Sequence, residues 1–161
     1  MLEHLRDLMA HQSWADAIFF HCWGSSPQTL EDEDLRKRTA HIAMAQEGFR
    51  RLILEEPVSR PPEMPIPTLA ELKDKIQASG SALRTLLQEM DPERLARPLQ
   101  VPWLQGKSSE ITIAEALVQV AMHSQHHRGQ NMTRLKQLGG TPKNVDWILW
   151  VWHGRPEARW D

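Results

Sequence analysis

The segment from Thr112 to Leu138, TIAEALVQVAMHSQHHRGQNMTRLKQL, determines the fold that this sequence predicts. Its first four residues, Thr-Ile-Ala-Glu, have the capping-box pattern that starts helices. Gly139-Gly140 and Pro142 follow it, and such residues end helices. Between these signals apolar residues recur every three or four positions, as on a helix face buried against other helices. We therefore predict an amphipathic helix from Thr112 to Leu138.

Three earlier segments have the same helical spacing of apolar residues. The first runs from about Glu3 to Trp23, and the second runs from about Glu31 to the residue before Pro57. The third starts with another capping box at Thr68 and runs to about Met90. Five prolines between positions 57 and 67 predict an extended crossover connection. Together these patterns predict an all-α fold, a four-helix bundle with one long crossover connection.

The rest of the chain adds smaller elements to this bundle. Leu99, Val101 and Trp103 alternate as in a strand, and residues 106–109 look like a turn. One interpretation is therefore a small hairpin between the third and fourth helices. We also predict a short C-terminal helix from about Val145 to Trp152 and a loose tail after Gly154. The 161 residues are expected to form a single domain, 1–161.

The composition excludes several classes of protein. A single Cys rules out a disulfide framework and Cys-rich metal modules, and is typical of a reducing compartment. The net charge of −2 argues against nucleic-acid binding as the main task. The longest apolar run, Trp147–Trp152, is too short to span a membrane, and charged residues interrupt the N-terminus where a signal peptide needs an apolar core. We expect a cytoplasmic protein that binds neither nucleic acid nor membrane.

Histidines cluster on the fourth predicted helix. His123 and His127 are four positions apart and therefore lie on one face. At about 100° per residue, His127 lies within the apolar stripe, His123 borders it and His126 lies off it. His41 lies at the edge of the stripe of the second helix. Three imidazoles from two helices could form a facial metal site with open positions; the alternative is a set of hydrogen-bonded histidines.

Other polar residues have more than one interpretation. His11 lies inside or beside the stripe of the first helix; it is a further ligand or a neighbour of the site, or else a packed, hydrogen-bonded core residue, which we favour. Gln130 lies near the histidine face and could form a hydrogen bond to a histidine that binds the metal ion. Asp16 or Glu47 could act as a general base, but no catalytic residue is assigned.

The remaining features near the cluster are interpreted structurally. Cys22 lies on the inner stripe of the first helix and is expected in the core. Gly129 predicts close helix packing beside the site, since glycine inside a helix costs about 1 kcal/mol relative to alanine. Four basic residues could attract an anionic cofactor, but we interpret them as a solvated face with favourable helix-dipole pairing: Arg128, Arg134, Lys136 and Lys143.

These motifs together resemble a known family. The run from His123 to Gln130, H-x-x-H-H-R-G-Q, resembles the last bundle helix of the DinB-like (DNA-damage-inducible) metal-binding family. His11-Gln12-Ser13-Trp14-Ala15-Asp16 is similar to the W-A-[ND] segment of its first helix. His41-Ile42 stands where the family has H-[IV] in the second helix. The resemblance covers nearly the whole chain.

The resemblance implies a divalent metal ion, such as zinc or nickel, bound by His41, His123 and His127. Members of the family resemble thiol S-transferases that use low-molecular-weight thiols such as bacillithiol or mycothiol, and related proteins are isomerases or hydrolases. The resemblance thus implies a metal-dependent enzyme that joins a small thiol to a small electrophile, often as a homodimer. The alternative is a non-catalytic, metal-stabilised bundle that serves as a binding or stress-response protein.

Overall fold

Four long helices form the body of the structure, a computed structural model that describes residues 1–58, 65–104 and 110–161. They are accompanied, within these residues, by three short helices and one pair of strands. In chain order the elements are α1 (Leu2–Trp23), α2 (Pro27–Glu31), α3 (Glu33–Ile53), α4 (Leu69–Gln88), α5 (Pro92–Leu95), β1 (Pro98–Gln100), β2 (Glu110–Thr112), α6 (Ile113–Gln137) and α7 (Trp147–Trp152). The predicted all-α bundle is confirmed.

The packing of the long helices explains the crossover connection. α1 packs against α4 and α6, and α3 packs against the same two helices, so α1 lies diagonally opposite α3. Leu35 and Leu72, near the starts of α3 and α4, share one apolar cluster, whereas Ile53 and Leu87, near their ends, share another. α3 and α4 therefore run parallel, and the chain must return along the bundle between them. Residues 59–64 of this proline-rich connection lie outside the described residues.

Both predicted capping boxes are present. The Thr112 side chain accepts a hydrogen bond from the Glu115 amide at 3.2 Å, and the Glu115 carboxylate accepts one from the Thr112 amide at 2.7 Å. Thr68 and Glu71 form the same pair at the start of α4. These side chains satisfy amides that have no partner within the first turn of a helix.

The start of the second long helix differs from the prediction. Instead of one helix from Glu31, the chain forms α2 and then begins α3 after Asp32, whose backbone is extended. The Asp32 carboxylate caps α3 by accepting a hydrogen bond from the Leu35 amide at 2.9 Å. It also pairs with Arg134 of α6 at 2.7 Å. The helix boundary therefore falls at Asp32 because its side chain has both a capping role and a tertiary partner.

The predicted hairpin is present in part. β1 and β2 are antiparallel, with Leu99 opposite Ile111. Val101 and Trp103, which extended the predicted alternation, lie beyond the end of β1. The predicted turn at 106–109 lies outside the described residues.

The segment after Gly154 is not the loose tail that the sequence suggested. The Trp150 indole donates a hydrogen bond to the Pro156 carbonyl oxygen at 3.0 Å, and Arg155 pairs with Asp7 of α1 at 3.1 Å. Trp160 packs against a cluster that contains Ile76 of α4. Arg155 and Trp160 hold the tail through partners that lie more than 80 residues away, so no local pattern could indicate these contacts. None of the helices in the described ranges is long and apolar enough to cross a membrane.

Candidate metal centre

The structure brings three imidazoles together where α3 meets α6. His41 comes from α3, and His123 and His127 come from successive turns of α6. One ring nitrogen of each lies within 4.8 Å of the other two, and the Nε2 atoms of His41 and His123 are 3.0 Å apart. All three histidines are partly exposed to solvent. The cluster is compatible with binding of a metal ion.

The surroundings favour the uncharged form of two of these rings. Burial lowers the pKa of His41, and the nearby His127 lowers it further. Burial likewise lowers the pKa of His123, and the neighbouring histidines add to this effect. Only a neutral imidazole has a lone pair for a metal ion, so His41 and His123 favour the protonation state that can bind a cation.

Gln130 fixes the orientation of the His127 ring through a hydrogen bond. Its Oε1 atom lies 2.8 Å from Nδ1 of His127 and, being an oxygen acceptor, requires the proton to be on Nδ1. This tautomer leaves Nε2 of His127 with its lone pair. The Gln130 amide nitrogen donates in turn to Nε2 of His126 at 3.1 Å, and His126 is exposed. The predicted contact of Gln130 with the site is therefore present, and His126 lies beside the three-histidine cluster.

Two sets of hydrogen bonds join α3 to α6 close to the cluster. Toward one end, the Gln46 amide donates to the Ser124 hydroxyl at 3.2 Å. Toward the other, the Asn131 amide donates to the Thr39 hydroxyl at 3.1 Å and accepts from Arg38 at 2.8 Å. These bonds fix the register of the two helices at the level of the histidines. Sequence reasoning missed this set, although Ser124 and Asn131 are polar residues within the apolar stripe, a signal that could have identified them.

Arg128 is not on a solvated face, as the sequence had suggested. Its guanidinium is buried against the Asp16 carboxylate of α1, with its Nε atom donating to Oδ1 at 2.9 Å. It also donates to the side-chain oxygen of Gln125. Burial raises the pKa of Asp16, and Arg128 opposes that rise. Because α6 turns by about 100° per residue, Arg128 faces α1 while its neighbour His127 faces α3.

The two candidate general bases are both held by arginines. Asp16 pairs with Arg128 as described, and Glu47 accepts hydrogen bonds from Arg50 at 2.8 Å and Arg51 at 2.7 Å. The Arg50 guanidinium, aided by Arg51, lowers the pKa of Glu47 to about 2. A carboxylate stabilised in this way is a poor proton acceptor at neutral pH.

Three other expectations have clear outcomes. His11 is a packed core residue, as favoured: it is 7% exposed, its Nε2 atom donates to the Val145 carbonyl oxygen at 2.8 Å, and aromatic rings surround it. Cys22 is buried, and burial raises the pKa of its thiol. Gly129 does not lie at a close contact between helices, as the sequence had suggested, because a methyl group at this position would meet open space.

In a comparison with known protein families, residues 34–131 match the model of the DinB superfamily. This range is more than half of the chain and contains His41, His123 and His127. It does not include α1, from which Asp16 reaches Arg128. No curated protein and no solved structure matches the chain.

Proposed function

The chain belongs to the DinB superfamily, and from this we propose that it is a divalent-metal-dependent enzyme of the thiol S-transferase type. In this proposal His41, His123 and His127 hold the metal ion, and the substrates are a low-molecular-weight thiol and a small electrophile. The observation that carries the proposal is the convergence of three ring nitrogens from α3 and α6 within 4.8 Å.

The donor set fits a divalent ion of the zinc or nickel type. Two nitrogens that each lie about 2.1 Å from one metal ion are about 3.0 to 3.4 Å apart, and the Nε2 atoms of His41 and His123 are 3.0 Å apart. Imidazole suits zinc, copper, iron and nickel better than it suits magnesium or calcium. Three protein ligands would leave room for a substrate atom, as in catalytic zinc sites.

A divalent ion in this site would lower the pKa of a thiol or water bound beside it, which supplies a nucleophile at neutral pH. In the reaction we propose, the thiol sulfur forms a bond to the electrophilic carbon. The leaving group departs with the electron pair of the broken bond, and the thiol proton passes to solvent.

The protein's own side chains would contribute positioning more than chemistry. Gln130 holds His127 in the tautomer that keeps Nε2 free. The thiol of Cys22 is buried and has a raised pKa, and Asp16 and Glu47 are paired with arginines. These features support a reaction in which the nucleophile arrives with the substrate.

A non-catalytic role is the second candidate, and one observation favours it. Two sets of hydrogen bonds join α3 to α6 close to the histidines, so a metal ion there would also cross-link these helices. In this case metal removal would lower stability, and no thiol conjugation would be measured.

The first experiment is elemental analysis of protein purified without added metal. We expect about one divalent ion per chain, and loss of most of it in His41→Ala and His127→Ala. His126→Ala is the matched control, because His126 lies beside the cluster without belonging to it. Full metal content in both ligand variants would contradict the proposed site.

The second experiment tests catalysis. The wild-type protein is incubated with a small aromatic electrophile and bacillithiol, mycothiol or glutathione, and the conjugate is measured with and without chelator. Conjugation that requires both metal and His127 supports the enzyme. Stoichiometric metal without conjugation of any thiol favours the structural role. Light scattering in solution tests the homodimer that we also propose, which would have about twice the 18.6 kDa of one chain.

A further inference from the structure

A cleft lies on the side of the bundle opposite the three histidines. It opens between α1 and the start of α4, and the C-terminal tail forms part of its wall. Its volume is about 360 Å³, within the range of small-molecule sites. The residues that line it are Ala17, Phe20, His21, Gly24, Ser25, Leu69, Lys73 and Trp160.

Aromatic rings form one wall of this cleft. The rings of Phe20 and Trp160 are 6.0 Å apart, and Phe20 stacks on the buried Trp23 at 5.7 Å with an angle of 20° between the planes. Trp160 also packs against the cluster that contains Ile76. The wall is therefore supported from α1 and α4, and aromatic rings in a wall suit a planar ligand.

Among the residues that line the cleft, Lys73 supplies a positive charge and none supplies a carboxylate. Lys73 is partly buried and, among the residues that the structure describes, has neither an ion pair nor a hydrogen bond. The eight lining residues include neither Asp nor Glu. An ammonium group that lines a cleft beside aromatic rings favours a ligand with a negative charge.

The tail also fixes the second titratable side chain of the cleft. Nε2 of His21 is 3.0 Å from the carbonyl oxygen of Arg159, which can only accept, so Nε2 must be the donor. Nδ1 of His21 is then left for a ligand or water. The same short segment therefore holds His21 and supplies the Trp160 ring.

We propose that this cleft binds a small aromatic carboxylate. The ring lies against Phe20 and Trp160, and the carboxylate lies at Lys73. This class of ligand follows from three features of the cleft: its aromatic rings, its single unpaired ammonium group and a volume that fits one or two fused rings. This site does not depend on the metal centre.

The test uses 2-naphthoate as the probe and the neutral 2-naphthamide as its partner, with binding measured by calorimetry. We expect saturable binding of naphthoate, and at least tenfold weaker binding in Lys73→Met with little change for the amide. Lys75→Met is the matched control, because Lys75 is exposed on the same helix and does not line the cleft. Trp160→Ala is expected to weaken both probes.

A carboxylate could also bind to a metal ion, so the measurement is repeated in His127→Ala. Unchanged naphthoate affinity in that variant supports the separate cleft, whereas loss of binding would assign the probe to the metal centre and overturn the proposal. Absence of saturable binding, or equal affinity in Lys73→Met and wild type, would overturn it as well. None of these outcomes depends on whether the protein conjugates thiols.

Discussion

The guanidinium of Arg128 and the carboxylate of Asp16 form an ion pair of 2.8 Å, in which the side chains are only 1% and 5% exposed. This pair joins α1 to α6 one residue after His127. Two successive residues of α6 thus serve two different helices: Arg128 binds α1, and His127 faces His41 of α3. The pair therefore links the helix that lies outside the family match to the helix that carries two of the three histidines.

Removal of one partner of this pair is expected to destabilise the protein strongly. In Asp16→Ala the Arg128 charge stays buried without its partner, and a loss of about 3–5 kcal/mol in the free energy of unfolding is expected. Urea denaturation of the wild type and the variant measures it. The double variant Asp16→Leu/Arg128→Met should recover much of the loss, because no unpaired charge remains buried. An Asp16→Ala protein as stable as the wild type would contradict this account.

Gln130→Ala is expected to weaken metal binding by about 10- to 100-fold, because His127 loses the hydrogen bond that fixes its tautomer and ring orientation. Competition with a chelator of known affinity measures the change. Gln130→Glu should keep most of the affinity, since a carboxylate oxygen can accept the same bond. Gln119→Ala, at an exposed position of the same helix, is the control and should bind metal as the wild type does.

The buried His11 is expected to make the protein sensitive to mild acid. Burial lowers the pKa of His11 below its ordinary value of 6.5, although its bond to the Val145 carbonyl opposes this. The unfolded chain then binds more protons than the folded one below about pH 6.5. Stability is therefore full above that pH and falls as the pH decreases toward the lowered pKa.

This prediction is tested with chelator present, so that metal release does not contribute. The free energy of unfolding is measured at pH 7.5 and 5.5 for the wild type and His11→Gln. We expect a smaller difference between the two pH values in His11→Gln than in the wild type. The exposed His153 provides the control variant, His153→Gln. Equal pH dependence in all three proteins would show that His11 does not contribute.

Thr112→Ala is expected to destabilise the protein by about 1 kcal/mol, because the Glu115 amide at the start of α6 loses its capping acceptor. Thermal or urea unfolding measures the loss. Thr112→Ser keeps the hydroxyl and should lie close to the wild type. A loss of the same size in both variants would show that the methyl group, and not the cap, is responsible.

The local patterns of the sequence were sufficient to predict the four long helices and to select the three histidines that meet. Thr68 and Thr112 act as caps because the capping box needs only residues three positions apart. His123 and His127 share a face because the helical period determines it. The i, i+4 spacing and the position of His41 on its own stripe were enough to select the trio that the structure brings together.

Residues whose roles depend on distant partners could not be assigned in this way. Arg128 looked solvated because its spacing does not reveal the carboxylate of Asp16, which lies 112 residues earlier and reaches it only after α1 packs on α6. The tail looked loose for the same reason, since the partners of Trp160 and Arg155 lie on the long helices of the bundle. Helical periodicity determines which face a residue occupies, whereas only tertiary packing determines which charge or ring lies opposite that face.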